Sequence, residues 1–235
     1  MHHVLLDQWS QGSSALHNRD PRAKILALLA LLIVLATTAP NAFLTLAIDA
    51  AVLGAGILIA GLPSGSLLLR AMAVLPFSLT FGLISWLAGD RLRALGLVEK
   101  SYLSTVAVLL IVGTTPLPLL LNGLEALGIP RLLVLVAQFL YRYLFVISEQ
   151  AQHLRLAASC RQGSGRRRRL GFRAAAGALA VLFARSYYRA EGIHRAMMAR
   201  AFSGKFALLR RLQFGLADGV FTLAIAAFLI LVRIQ

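Results

Sequence analysis

Residues 25–39 read ILALLALLIVLATTA and residues 42–62 read AFLTLAIDAAVLGAGILIAGL, two apolar runs that carry one ionisable side chain between them, Asp49. Pro40-Asn41 separates the runs and Pro63-Ser64-Gly65 ends the second, as expected of turns between helices. Long Leu/Ala/Val runs without polar alternation favour helices over the strands of a membrane barrel. In hydrocarbon every backbone N–H and C=O must be paired within its own segment or in a closed barrel, so such runs are read as membrane helices.

The rest of the chain agrees. Of its 235 residues 59% are hydrophobic and 14% charged, against about 45–50% and about 25% in average soluble domains. A chain this short has too little interior to hide that much apolar surface from water. A third run spans about Leu67 to Ala88, with Arg70 near its start and Pro76 inside it, where a kink is expected. A charged stretch, Gly89 to Lys100, reads as a loop. The fourth run, Ser101 to Leu121, breaks at Pro116 and Pro118, and a last run extends from about Leu212 to Ile234 and carries Asp218. The expectation is an all-α polytopic membrane protein with about five transmembrane helices. Its parts are an amino-terminal segment (1–24), four spans (25–121), a long helical segment (122–211) and a final span (212–235). Gly54, Gly56 and Gly61 are read as sites of close helix approach. Asp49 and Asp218 read either as ion relays or as structurally partnered acids.

Between Asn122 and Arg211 the texture changes to amphipathic and arginine-rich. One helix is expected from Arg131 to about Arg161 and a second from about Phe172 to Phe202, with Gly163-Ser164-Gly165 and the run Arg166 to Arg169 between them. Glu191 and Arg195 have the spacing of a helical ion pair.

The chain carries 24 Lys+Arg against 9 Asp+Glu, a net charge of +15. With the amino terminus inside the cell, the Lys and Arg fall overwhelmingly on the cytoplasmic side, as the positive-inside rule demands. That distribution accounts for the basic excess without nucleic acid, for which no motif or aromatic stacking platform is present. The expected location is the bacterial cytoplasmic (inner) membrane, with the long helices cytoplasmic. Residues 1–24 are too polar for a cleavable signal peptide.

Several chemistries are excluded by what is missing. There is no GxxxxGK[ST] phosphate loop, no HExxH and no GxSxG. Cys160 is the only cysteine, so neither an internal disulfide nor a cysteine-rich metal cluster can form. No catalytic residue, metal site or cofactor is assigned. The spans hold few polar groups for a self-sufficient carrier, and so much cytoplasmic helix points to a scaffold that carries force between other subunits.

Two sites on the long helices fit that role. One is Cys160-Arg161-Gln162 at the end of the first helix; the other is Ala199-Arg200-Ala201 at the end of the second. Each sets one arginine among small or short side chains beside a chain break. Small neighbours let a helix end enter a groove, and a guanidinium fork can there make paired bonds to a carboxylate. An arginine at a helix carboxyl end also complements the helix dipole with no partner at all.

In their order and placement these triplets, with the lead Asp20-Pro21-Arg22-Ala23-Lys24 before the first span, resemble the transmembrane T component of energy-coupling-factor transporters, in its cobalt-type CbiQ branch. Members of that family end two coupling helices on Ala-Arg-Gly-like triplets. Ala199-Arg200-Ala201 is the nearer match, and Cys160-Arg161-Gln162 departs from the pattern on both sides of the arginine. The resemblance implies a non-catalytic subunit. Two ABC-type ATPase subunits would dock at Arg161 and Arg200, and a small substrate-binding membrane subunit would be held by the spans and apolar helix faces. Cobalt is the substrate it implies, or nickel. The alternatives left standing are an independent carrier or channel, and a T component serving a vitamin-type substrate.

Overall fold

The computed structural model describes residues 9, 10, 12, 14–39, 42–162, 168–204, 215, 218–220, 222–225 and 227. Among the described residues there is no strand, and the chain is an all-α membrane protein. It divides into two compact units: Met1–Ile129 with Arg211–Gln235, and Pro130–Arg210.

In the first unit α1 is Pro21–Thr37. It starts where it does because Asp20 Oδ1 accepts the Arg22 N–H at 2.9 Å and Pro21 opens the first turn, which satisfies free amides where proline costs nothing. Its start four residues ahead of the apolar run lengthens it to 17 residues, about 25 Å. Helix α2, Phe43–Ala60, stops at Gly61, whose left-handed φ of 65° suits glycine. Then come α3 (Ser64–Ala71), a 3-10 turn (Met72–Val74) and α4 (Leu75–Leu87). The kink expected at Pro76 takes the form of that tightened turn, which places the proline in the first turn of α4.

The stretch from Gly89 to Lys100 is not a loop. Ala88, Gly89 (at φ 91°) and Asp90 make the whole turn, and α5 runs unbroken from Arg91 to Thr114. Charge alone misled the reading, since nothing between Arg91 and Lys100 breaks a helix. Thr115 and Pro116 end α5, and a short α6, Leu117–Ala126, follows.

Helix α5 lies at the centre of this unit and packs on α1, α2, α3 and α4. The core joins Leu31 and Leu35 of α1, Leu46, Leu53 and Ile57 of α2, Leu67 of α3, and Leu103, Val106 and Leu110 of α5. Only one of the three glycines near α2 works as expected. A Cβ on Gly56 would stand 2.9 Å from Leu110 Cδ2, whereas Gly54 faces open space and Gly61 is the helix terminator. The outward face of α4 exposes Phe77, Phe81, Ile84 and Leu87, an apolar surface suited to lipid and not to water.

In the second unit α7 (Arg131–Gln162) and α8 (Arg168–Ala199) are each 32 residues long. Three helical stretches of the described chain are long and apolar enough to cross a membrane: Ser64–Leu87, Arg91–Thr114 and Arg131–Cys160. Most of the last expected span, 212–235, lies outside the described residues, as do Gly163–Gly165, Arg166 and Arg167.

Candidate coupling site

The two arginine triplets lie on α7 and α8, which pack antiparallel. One groove between them is lined by Phe139, Tyr143 and Ile147 from α7 and by Ala190, Ile193 and Met197 from α8. A second is lined by Leu154 and Ala158 from α7 and by Ala174 and Ala178 from α8. Residues early in α7 therefore meet residues late in α8, and the carboxyl ends of the two helices point to opposite ends of the pair. At about 1.5 Å per residue those ends are on the order of 45 Å apart. The structure keeps the two triplets apart, each at its own end.

At the end of α8 the backbone explains the triplet. The Phe202 N–H donates to Met197 O at 3.0 Å, and the Ala201 N–H donates to Met198 O at 3.0 Å. This is a Schellman turn, in which Arg200 is the C-cap and Ala201 is the residue that must turn left-handed. Ala201 does so at φ 50°, the one non-glycine residue with positive φ among the described residues. Glycine would take this conformation freely, and alanine holds the turn under strain. Arg200 and Ala201 are exposed and so is Ala199, so the guanidinium projects from a fixed turn into space a partner can reach. One turn back, Glu191 and Arg195 form the expected i,i+4 pair.

At the end of α7, Cys160 is an exposed free thiol in the last helical turn. The backbone of Arg161 and Gln162 is helical, and their side chains lie outside the described residues. The Arg166–Arg169 run falls mostly outside them too.

The lead before the first span forms a polar brace in the first unit. The side chain of Lys24 is buried, 2% exposed, and Nζ donates to Thr114 O at 3.1 Å and to Thr115 Oγ1 at 2.7 Å. Asp218, expected in the last span, is buried and partnered. Its Oδ1 accepts the Asp20 N–H at 3.3 Å and lies 3.9 Å from Arg19, and its Oδ2 accepts the Gly215 N–H at 3.1 Å. The other intramembrane acid differs. Asp49 is fully buried between Leu46 and Leu53 on the inner face of α2, and neither carboxylate oxygen has a hydrogen-bond partner. Below Asp20, His17 ties the lead together, with Nε2 2.9 Å from Trp9 O and Nδ1 2.6 Å from Ser14 Oγ.

Sequence reasoning missed a second lysine. Nζ of Lys100 donates to Thr38 O, the carbonyl that caps α1. The available signal was a lone lysine between a charged stretch and an apolar run, which reads more simply as a loop residue. No group of three or more His, Cys, Asp or Glu suited to a metal occurs among the described residues.

A family model described as CbiQ, cobalt transport protein, matches residues 12–209. Among curated proteins, the cobalt transport protein CbiQ of Rhodobacter capsulatus is 33% identical over 96 residues, which cover 41% of this chain and 39% of that protein. The uncharacterized protein MJ1089 of Methanocaldococcus jannaschii is 28% identical over 107 residues, covering 46% of this chain and 40% of its own. The match thus spans about two fifths of the length of these relatives.

Proposed function

This chain belongs to the CbiQ family of cobalt transport proteins, and from that premise we propose that it is the membrane coupling subunit of an ATP-driven importer for a transition-metal ion, cobalt or nickel. In this reading the chain is not itself an enzyme. Two ATPase subunits dock at the arginine-bearing ends of α7 and α8, nucleotide-driven closure of the ATPase pair moves those ends, and the motion passes to a separate substrate-binding membrane subunit. The chain sits in the cytoplasmic membrane with its amino terminus and the α7–α8 pair inside the cell.

The observation that carries this reading is the exposed Arg200 on a rigid Schellman turn, with the other triplet at the far end of an antiparallel helix pair. Two separated docking points are what a pair of identical partners requires. A guanidinium held by a fixed turn gives up less side-chain freedom on binding a carboxylate than one on a loose loop. The composition of α8 supports a place outside the hydrocarbon. Although α7 is apolar enough to span, the part of α8 that packs against its first half carries Arg189 and His194, with Arg185 and Arg195 nearby. Each arginine at a bilayer centre costs about 2.5–3.5 kcal/mol, which opposes a transmembrane placement of the pair.

The test is an Arg161→Ala/Arg200→Ala double variant, inserted normally and co-purified with its ATPases. The expected outcome is loss of ATPase association and of ATP-driven cobalt uptake, since truncating one side of a docked charged pair costs about 2–5 kcal/mol. Normal association and uptake would remove the assignment. The unpartnered carboxyl of Asp49 within a span favours one second reading, an independent carrier. It predicts cobalt flux into liposomes from the purified chain without ATPases, abolished by Asp49→Asn.

A further inference from the structure

Helices α2 and α5 pack side by side and point the same way. Gly56 meets Leu110, and further along Leu62 meets Gly113, so the register can be followed down both helices. Asp49 stands seven residues before Gly56, and Leu103 stands seven before Leu110, about two turns in each helix. Asp49 therefore faces Leu103. Lys100 lies one turn beyond Leu103 on the same side of α5, about 4.5 Å further along. Asp49 is 0% exposed, and among the described residues neither of its carboxyl oxygens has a hydrogen-bond partner. An ammonium thus stands one turn from a buried carboxyl and is bonded elsewhere, to the Thr38 carbonyl that caps α1.

Burying a carboxylate with neither a counter-ion nor a hydrogen bond costs far more than burying the neutral acid, so a group in this place keeps its proton. The charges around it agree. Glu99 lies beside Lys100 on α5 and is half-buried, and a like charge opposes an ionised Asp49. The cations of α1, Arg22 and Lys24, are at its opposite end, where Lys24 is bonded to Thr114 and Thr115. Arg70 of α3 stacks on Trp9, 4.5 Å from the ring centroid. Asp49 is the one ionisable side chain of α2 itself. Among the described residues, Lys100 is then the cation placed to meet an ionised Asp49, and its flexible four-carbon stem can turn along the groove in either direction.

We propose that Asp49 is a proton-binding site within the bundle, and that Lys100 is the cation that takes the proton's place. While the acid is neutral, Lys100 clamps the end of α1 through Thr38. When the carboxyl O–H bond breaks, the proton passes to water, and the Lys100 ammonium leaves the Thr38 carbonyl for the Asp49 carboxylate. An ion pair then replaces a neutral acid and a capped carbonyl, and α1 loses its clamp at that end. This goes beyond the coupling reading and does not rest on it, because it concerns a protonation equilibrium of the chain alone.

The experiment uses infrared spectroscopy of the full chain in bilayers of ether-linked phosphatidylcholine, which has no ester carbonyl to mask an acid band. At neutral pH the parent chain should show the carbonyl stretch of a protonated carboxylic acid, shifted in deuterated water and absent from Asp49→Asn. As the pH is raised the band should give way to that of a carboxylate below about pH 10, where Lys100 itself begins to lose its charge. In Lys100→Met, or in Lys100→Gln should the first variant not fold, the band should persist to a pH higher by about one unit or more, since no cation then replaces the proton. Absence of a protonated-acid band at neutral pH, or a band unchanged in Asp49→Asn, overturns the proton site. A parent band that survives beyond about pH 10, or that is lost at the same pH with and without Lys100, overturns the exchange. Neither loss nor retention of ATPase association in the Arg161/Arg200 variant alters these spectra, so the two readings fail separately.

Discussion

Lys24 and Lys100 each cap the carboxyl end of the helix that carries the other. Lys24, in the first turns of α1, donates to the carbonyl of Thr114, the last residue of α5, and Lys100 of α5 donates to the carbonyl of Thr38, the C-cap of α1. Fourteen residues separate Lys24 from Thr38 and fourteen separate Lys100 from Thr114. The two helices therefore run antiparallel in register, clamped at points about 21 Å apart. A helix leaves its last carbonyls without amide partners, and the dipole there favours a cation, so an ammonium group meets both needs at once.

Removing either lysine should loosen the bundle. Lys24→Met leaves the buried Thr114 carbonyl unmet, and an unsatisfied buried acceptor costs about 1–3 kcal/mol. Thermal unfolding in detergent should show a lower midpoint for Lys24→Met than for Lys100→Met, whose site is less buried. The double variant should show nearly the sum of the two losses, because sites this far apart act independently.

Glycines 54 and 56 should respond oppositely to alanine. Gly54→Ala meets open space and gains helix propensity, so stability should rise by about 0.5–1 kcal/mol. Gly56→Ala forces Leu110 aside and should lower stability by about 1 kcal/mol. Equal effects in a thermal-shift assay would mean that α2 and α5 do not approach at Gly56.

Ala201→Gly should tighten the end of α8. Glycine removes the left-handed strain at φ 50°, a gain of about 1 kcal/mol. Amide exchange at Ala201 and Phe202, the donors of the Schellman turn, should slow. If Arg200 docks to a partner, association should be kept or improved, whereas Ala201→Val should weaken both exchange protection and association.

Asp218→Ala should free the amino-terminal lead. The variant strips acceptors from the amides of Asp20 and Gly215 and removes the acid opposite Arg19. Limited proteolysis should cut between residues 14 and 20 faster than in the parent chain, with an associated loss of about 1–3 kcal/mol. Asp218→Asn keeps an acceptor and should fall between the two.

The membrane class, the helical content and the limits of α7 could be read from the sequence, because apolar runs in lipid leave the backbone one way to satisfy itself and because Gly128-Ile129-Pro130 stops one helix just before the next begins. That Arg200 falls at the end of a helix was legible as well, since the residues that end it are local in the chain. Its cause was not: the left-handed turn at Ala201 is a backbone conformation, and alanine does not announce it. The stretch 91–100 misled for a similar reason, since charge signals exposure and says little about whether a helix continues.

By itself the sequence settled what depends on near neighbours: the helical character of the apolar runs, the solvent they need, and that an arginine sits at the end of α8. Only the tertiary structure decided what joins residues far apart in the chain. It paired Lys24 with Thr114 and Lys100 with Thr38, made Gly56 and not Gly54 the contact, and sent the two arginine-bearing ends in opposite directions. The physical reason is that helix formation follows local propensity and hydrophobicity, whereas the register between helices is set by packing and by a few buried polar bonds whose two partners carry no mark of each other in the linear chain.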